Sequence, residues 1–448
     1  MSSAALWLYA RLMDALKPFM RRKLARRARL EPGYAEAIEE RFGDYTQPAV
    51  APDDAKKIWI HAVSLGETRA AAVLLKALRA QYPGLRMVLT HGTATGRAEG
   101  AGLLEAGDVQ VWQPWDSPGA VARFFDHFRP RLGLLMETEV WPCAVAVARA
   151  RGVPLVLVNG RLSDKSLKKA LRLSLISLPA YGALTAVYAQ TASDALRFRA
   201  LGAAVEGVFG NLKFDAAPDE TQLTRGRAWR QAINVPVVMF ASSREGEEAA
   251  FFEQIVLLAQ SNLAGEAPDL IANGLVAVTG PARCKWLVVP RHPQRFNEVE
   301  ALAGQHGLKV SRRSSWLAGP IENLDAMRAD VWLGDSLGEM ALYYALADVA
   351  LLGGSFAPLG GQNLIEAAAC ACPVVMGPHT FNFQEAAELA EAAGAARRAH
   401  DLHAGVEAAL ALARDPEALA GAAVAGLAFA ARHQGATDRT LAALQRFI

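Results

Sequence analysis

Short runs of aliphatic and β-branched residues alternate with Ala- and Leu-rich stretches along most of the chain, a pattern that predicts repeated βα units. Strands are expected at 57–63, 85–90, 109–112, 132–136, 154–158 and 185–189, with helices over 68–80 and from about 94. From about residue 235 the series restarts, with strands at 235–241, 286–289, 331–333, 349–353 and 373–376. These runs are apolar at consecutive positions, as expected of parallel strands covered on both faces. Two such series predict an α/β protein of two Rossmann-like, doubly wound parallel-sheet domains facing across a cleft. Ligands would collect at the carboxyl ends of the strands. The expected division is an N-terminal region over 1–45, a first domain over 46–215, a polar linker over 216–232, a second domain over 233–430 and a C-terminal helix over 431–448. A Gly-, Ala- and Pro-rich stretch at 265–285 reads as a long loop inserted before a strand.

The first twenty residues follow a different pattern. Apolar side chains at Ala5, Leu6, Leu8, Tyr9, Leu12, Met13, Leu16, Phe19 and Met20 keep helical spacing. Eight Lys and Arg residues fall within positions 1–30 against a single acid, Asp14. The segment is too short and too charged to span a bilayer, and it has no small-residue cleavage site. Two readings fit it. The helix can pack on the protein's own core with its cations solvated. It can also lie in an anionic membrane surface, where each cation contributes about 1 kcal/mol.

A chain of 448 residues with 52% hydrophobic content can fill two cores. Its net charge of +2 excludes a global nucleic-acid-binding field. Cys143, Cys284, Cys370 and Cys372 lack metal-ligand spacing and are expected as buried thiols in a reducing compartment such as the cytoplasm.

The unusual polar residues cluster where strands end. After the first strand comes His61-Ala62-Val63-Ser64-Leu65-Gly66-Glu67, placing Glu67 at a helix start, either as part of the cap or as a general base. The fourth strand runs into Glu137-Thr138-Glu139, two acids that need a partner or a function. They could orient a base or an acceptor sugar, or pair structurally with Arg161 or Lys165. Arg161 and Lys213 supply cations after later strands, which suits an anionic ligand. In the second half, Ser242-Ser243-Arg244-Glu245-Gly246-Glu247 opens a helix after a strand, as a phosphate loop would. Pro290-Arg291-His292-Pro293, Gly334-Asp335-Ser336-Leu337-Gly338-Glu339 and the glycine-rich stretch 353–366 end three further strands. Neither a Walker loop nor GxGxxG occurs, yet four such endings in one domain point to a nucleotide. His61, His91, His292 and His379 have no metal-ligand spacing, so no metal or other cofactor is expected.

In order along the chain, Ser-x-Gly-Glu, Glu-Thr-Glu-x-Trp-Pro, Leu-Lys-Phe-Asp, Pro-Arg-His-Pro and Gly-Pro-His-Thr-x-Asn-Phe resemble the 3-deoxy-D-manno-octulosonic acid (Kdo) transferase family. That family consists of glycosyltransferases of the GT-B architecture, and the resemblance runs from about Ile58 to the 377–385 segment. It implies inverting transfer of Kdo from CMP-Kdo to a lipid A precursor (lipid IVA) in lipopolysaccharide synthesis, at the cytoplasmic face of the inner membrane. The chain would be held there peripherally or by its N-terminus. Glu67 matches the general base, and Glu137 and Lys213 match positions that stabilise the transition state. Pro290, Arg291, Leu337, Gly338, Glu339, Asn363, Leu364, Ile365 and Glu366 match CMP contacts, the last holding the ribose. Ser64, Gly66, Glu139, Arg161, Ser242 and Arg244 are further candidates for acceptor or donor contacts. The chain departs from the usual pattern at Arg244 and Gln362, where the family usually has His, and at Leu364-Ile365, where it usually has Pro-Leu. Two other readings are a uridine-nucleotide lipid glycosyltransferase of the same fold and a non-catalytic nucleotide-binding scaffold.

Overall fold

The computed structural model describes residues 4–49, 57–215, 217–264 and 284–448. Parallel strands with apolar side chains on both faces need helices on both faces, and the chain builds two units of this kind. The first unit comprises Met1–Ala216 with His433–Ile448, and the second Ala217–Arg432.

In the first unit the strands are β1 (Lys57–His61), β2 (Arg86–His91), β3 (Val109–Trp112), β4 (Leu132–Met136), β5 (Leu155–Gly160), β6 (Ala186–Ala189) and β7 (Val205–Val208). They form one parallel sheet in the order 3-2-1-4-5-6-7. Alternate residues feed two cores. Trp59, Val88, Leu135 and Leu157 face one, while Ile58, Ile60, Leu134 and Val156 face the other. The C-terminal helix Ala436–Leu444 returns to this unit and buries Ala436 and Leu444 in the second core. Asp215 fixes that return by accepting from Gly435 N at 2.7 Å and from Thr437 N.

The second unit holds β8 (Val237–Ser243), β9 (Lys285–Pro290), β10 (Val310–Arg312), β11 (Val331–Leu333), β12 (Val349–Leu352), β13 (Val374–Met376) and β14 (Ala396–Arg398), in the order 10-11-9-8-12-13-14. Strand order reverses between β1 and β4 in one sheet and between β8 and β12 in the other. Loops leaving the carboxyl ends of those strands diverge and leave a crevice for ligands.

Three strands went unread in the sequence: β7, β10 and β14, all at sheet edges. Each has three or four residues, and β7 alternates half-buried with exposed positions, so none makes a continuous apolar run. The stretch expected as linker carries a helix, Glu220–Gln231, which packs on the Met340–Leu346 helix of the second unit. Residues 265–283 of the expected inserted loop lie outside the described residues, and Lys285 already belongs to β9.

The amphipathic N-terminal segment forms two helices instead of one, α1 (Ala4–Ala15) and α2 (Lys17–Ala28). Pro18 has no N–H to give the preceding turn and fits only near a helix start, which accounts for the break at Leu16. The α1 helix spends only part of its apolar stripe on its own unit. Leu6, Tyr9 and Ala10 pack on the first unit's core, while Trp7, Leu8 and Leu12 stay exposed. Tyr9 donates to Asp116 at 2.8 Å, and Asp116 also accepts from Cys143 N and Ala144 N at the start of the Pro142–Ala150 helix. Cys143, Cys370 and Cys372 are buried, Cys284 is partly so, and all four are free thiols.

Candidate active site

In the first unit, helix α3 (Leu65–Gln81) starts directly after β1. Ser64 is its N-cap and accepts from Glu67 N at 3.4 Å. Glu67 answers with both oxygens. Oε2 accepts from Val63 N at 2.8 Å, and Oε1 accepts from the Ser64 hydroxyl at 3.1 Å. The capping and the chemical readings of Glu67 therefore coexist, because the cap holds the carboxylate in one place. Burial pushes its pKa up to about 7 against the two hydrogen bonds, and the negative charges of Glu139 and Glu137 add to the rise. A carboxyl poised near neutrality suits a general base.

Glu137 follows β4 in the left-handed backbone region, with φ of 55°. Its Oε1 lies 2.8 Å from Lys213 Nζ. The turn that carries Lys213 is held by Asn159, which the sequence analysis did not single out. Asn159 sits at φ of 54° in β5, and its Oδ1 accepts from Leu212 N at 3.0 Å. Left-handed backbone is costly outside glycine, though Asn tolerates it best. Gly66 closes the group, because a Cβ there would lie 3.9 Å from Lys213 Nζ. Ser64, Gly66, Glu67, Glu137, Glu139 and Lys213 are thus brought together. Glu139 accepts from Trp141 Nε1 at 2.9 Å, and burial raises its pKa as well. Arg161 is exposed on the loop leaving β5, its backbone N donating to Glu137 O at 3.2 Å.

The second unit assembles its loops around an acid that the sequence reading left without a role. Glu247 is buried at the start of the Glu247–Ala264 helix. Its Oε2 accepts from Gly354 N at 2.7 Å and Arg244 N at 3.0 Å, and its Oε1 from Phe356 N at 3.2 Å and Ala357 N at 3.1 Å. One carboxylate ties the loop after β8 to the loop after β12. The amides expected to face a phosphate in the glycine loop are in part committed to Glu247. The cations remain. Arg244 and Arg291 both depress the pKa of His292 behind the dominant effect of its desolvation, so they share one neighbourhood. Arg291 N also donates to Ser243 O at 3.0 Å, joining the ends of β8 and β9. Gly353 is required there, since a Cβ would meet Ser242 O at 2.3 Å. Ser242 itself has φ of 55°.

The other matched positions divide by exposure. Leu364 and Ile365 are buried, so their side chains serve the core and only their backbone can face a ligand. Asn363 Oδ1 accepts from Ile365 N at 3.1 Å, and Glu366 is exposed one residue on. Pro290 is buried and Leu337 exposed. The Glu339 carboxylate is paired with Arg225 at 2.6 Å and Arg313 at 3.0 Å, and Gln222 donates to Gly338 O at 2.8 Å. The Glu220–Gln231 helix thus braces the 337–339 turn. Among the described residues, no three His, Cys, Asp or Glu side chains gather as a metal site.

A family profile described as 3-Deoxy-D-manno-octulosonic-acid transferase (kdotransferase) matches residues 36–216. The 3-deoxy-D-manno-octulosonic acid transferase of Bordetella pertussis is 46% identical over 446 residues, covering 98% of this chain and 99% of the relative. The chain belongs to the Kdo transferase family. The Kdo transferase of Haemophilus influenzae is 31% identical over 360 residues, 79% of this chain and 78% of the relative. Membership makes the chain a glycosyltransferase. Among solved structures, a glycosyltransferase from Rickettsia africae aligns with a TM-score of 0.54 at 12% identity, over 88% of this chain and 98% of that one. The UDP-GlcNAc 2-epimerase of Neisseria meningitidis gives 0.54 at 14% identity, over 87% and 100%. These two show the fold, which is GT-B. That an epimerase shares it illustrates why the reaction must be argued from the family and the site.

Proposed function

We propose that the chain transfers Kdo from CMP-Kdo to a hydroxyl of a lipid A precursor, with inversion at the anomeric carbon. The observation that carries the mechanism is the half-buried Glu67 carboxylate, fixed by Val63 N and the Ser64 hydroxyl beside the Glu137–Lys213 pair, in a family of Kdo transferases. Glu67 takes the proton from the acceptor hydroxyl as that oxygen attacks the anomeric carbon of Kdo. The C–O bond to the cytidine monophosphate breaks, and CMP leaves with the bonding electrons. Lys213, positioned by Glu137 and Asn159, supplies positive charge where negative charge accumulates in the transition state. The second unit binds the nucleotide, with Arg291 and Arg244 at its phosphate and Glu366 at its ribose hydroxyls. Equilibrium titration tests the donor class. CMP should bind at least tenfold more tightly than UDP-GlcNAc, and the reverse order would favour a uridine donor.

The acceptor is a lipid, and the first unit carries a surface suited to meeting one. Trp7, Leu8 and Leu12 of α1 and Phe19 of α2 are exposed beside the basic residues of both helices. The Ser174–Gly182 helix packs on α1 and exposes Leu175 and Leu178. It follows the Asp164–Arg172 helix, which carries Lys165, Lys168, Lys169 and Arg172. These exposed apolar and basic side chains support attachment to the cytoplasmic face of the inner membrane, peripherally or by the N-terminus. Among the described residues no helix is long and apolar enough to cross a membrane. Replacing Trp7, Leu8 and Leu12 together by Ser should lower cosedimentation with anionic vesicles at least tenfold while the melting temperature changes little. Unchanged vesicle binding would remove α1 from the attachment surface.

A further inference from the structure

Behind the carboxylates of the first unit, β1 and β2 bury a directed series of hydrogen-bonding groups. Trp59 Nε1 can only donate, and it donates to Thr90 Oγ1 at 2.8 Å. His61 Nδ1 lies 2.8 Å from the same hydroxyl and 3.2 Å from the Thr90 carbonyl oxygen. His61 is completely buried, and that burial pushes its pKa down to about 3, with His91 and Arg41 adding repulsion. The ring is therefore neutral and carries one N–H. Its other nitrogen, Nε2, has no hydrogen-bond partner and faces Glu139 Oε2 at 3.9 Å.

Two tautomers are available, and the oxygens facing the two nitrogens, Thr90 O at Nδ1 and Glu139 Oε2 at Nε2, bear on the choice. If Nδ1 held the proton, a bare Nε2 lone pair would point at Oε2, an oxygen that already accepts from Trp141 Nε1. Two acceptors would then face each other in a buried setting, which is unfavourable. If the Thr90 hydroxyl donates to Nδ1, the Thr90 carbonyl oxygen 3.2 Å from that nitrogen keeps its own donor, Ala62 N at 3.0 Å, and the proton on Nε2 finds an oxygen. Trp59 donates to Thr90, Thr90 to His61, and the Nε2–H of His61 points at the carboxylate.

We propose that Glu139 is a positioning residue for the transfer reaction, held as a carboxylate by Trp141 and by the buried Trp59–Thr90–His61 donor chain, and acting on the acceptor proton through Glu67. The proposal rests on Glu67 being the base. Around Glu139 stand His61 from β1, Glu67 from α3, Glu137, Thr138 and Trp141 from its own loop, and Tyr181 from the Ser174–Gly182 helix. Lys213 pairs with Glu137 at 2.8 Å, and Glu139 is approached by the neutral His61 ring. The negative charge of Glu139 adds to the effect of burial on Glu67, favouring its proton-bound form and making Glu67 the stronger base.

The test is the pH dependence of transfer in Glu139→Gln, which keeps the shape and an acceptor for Trp141. The acidic limb of kcat should move down by about one pH unit as the like charge is removed. The plateau rate should fall several-fold, because a weaker base takes the proton less readily. A loss of rate with the acidic limb unmoved would reduce Glu139 to a structural support and overturn the proposal, as would an unchanged profile. Glu67→Gln is measured alongside. Transfer surviving in that variant would mean that the base assignment has failed, a result distinct from an unmoved limb in Glu139→Gln. Should Glu139→Gln fail to fold, nitrogen NMR of the histidine-labelled full-length protein still decides, with the His61 signals assigned from His61→Gln. A neutral ring protonated on Nε2 is expected, and protonation on Nδ1 would overturn the donor chain.

Discussion

Glu67→Gln should lower the rate of Kdo transfer by about 10²–10⁴-fold while leaving CMP affinity within about twofold of the original. The amide keeps the shape and can still accept from Val63 N, so the start of α3 is preserved and only proton acceptance is lost. In the unaltered protein, transfer should fall as pH drops below about 7, because only the ionised carboxyl can act as base. The same group has a stability signature of opposite direction. Its native pKa of about 7 lies above the ordinary 4.5, so the folded chain holds this proton more tightly than the unfolded one. The resulting stabilisation is complete below the ordinary value and is lost as pH rises through 7, a difference of about 3 kcal/mol. Glu67→Gln should accordingly melt higher than the unaltered protein at pH 8, with the gap closing at pH 5. An inactive variant that is also less stable at pH 8 would point to a structural defect instead of a missing base.

The second large effect is expected far from any acid–base chemistry. Each Glu247 oxygen accepts two backbone N–H groups, from Arg244, Gly354, Phe356 and Ala357. In Glu247→Gln one of those oxygens becomes an NH2, so two buried donors face another donor. The cost is about 1–3 kcal/mol for each unsatisfied group. For a unit of some 200 residues this corresponds to a drop of roughly 5–15 °C in its melting temperature. The loops freed are the one carrying Arg244 and the one leading to the 363–366 stretch, so the KM for CMP-Kdo should rise at least tenfold, with kcat affected less. A variant that melts and binds like the original would show that the loops hold their shape without this carboxylate.

Much of this was legible in the sequence, and the gaps have physical causes. Central strands such as β4 and β12 announce themselves because both faces are buried and no residue is polar. Edge strands such as β14, Ala-Arg-Arg, have no such signature. Glu67, Glu137 and Lys213 were singled out by position after strands and by resemblance, and the structure brings all three into one group. Asn159 and Glu247 were missed as individual residues because their contribution is to hold backbone groups contributed by distant loops. A buried acid that binds four amides looks, in one dimension, like an ordinary first-turn glutamate. The exception was readable in principle, since Asn before Gly at the end of a strand is a familiar left-handed pair. The break between α1 and α2 was also available from Pro18. How far the N-terminal apolar stripe is spent on the protein's own core was not, because helical spacing marks a face without saying what covers it.

The account's central claim is base-assisted, inverting transfer of Kdo onto a lipid A precursor. Its most direct test is incubation of the purified full-length chain with CMP-Kdo and tetra-acylated lipid A precursor, following CMP release, lipid mass and the anomeric configuration of the product. The account predicts CMP release that requires the lipid, a mass increase of whole Kdo units and inverted configuration at the new linkage. Retained configuration, or turnover of a uridine sugar nucleotide with no reaction of CMP-Kdo, would contradict it.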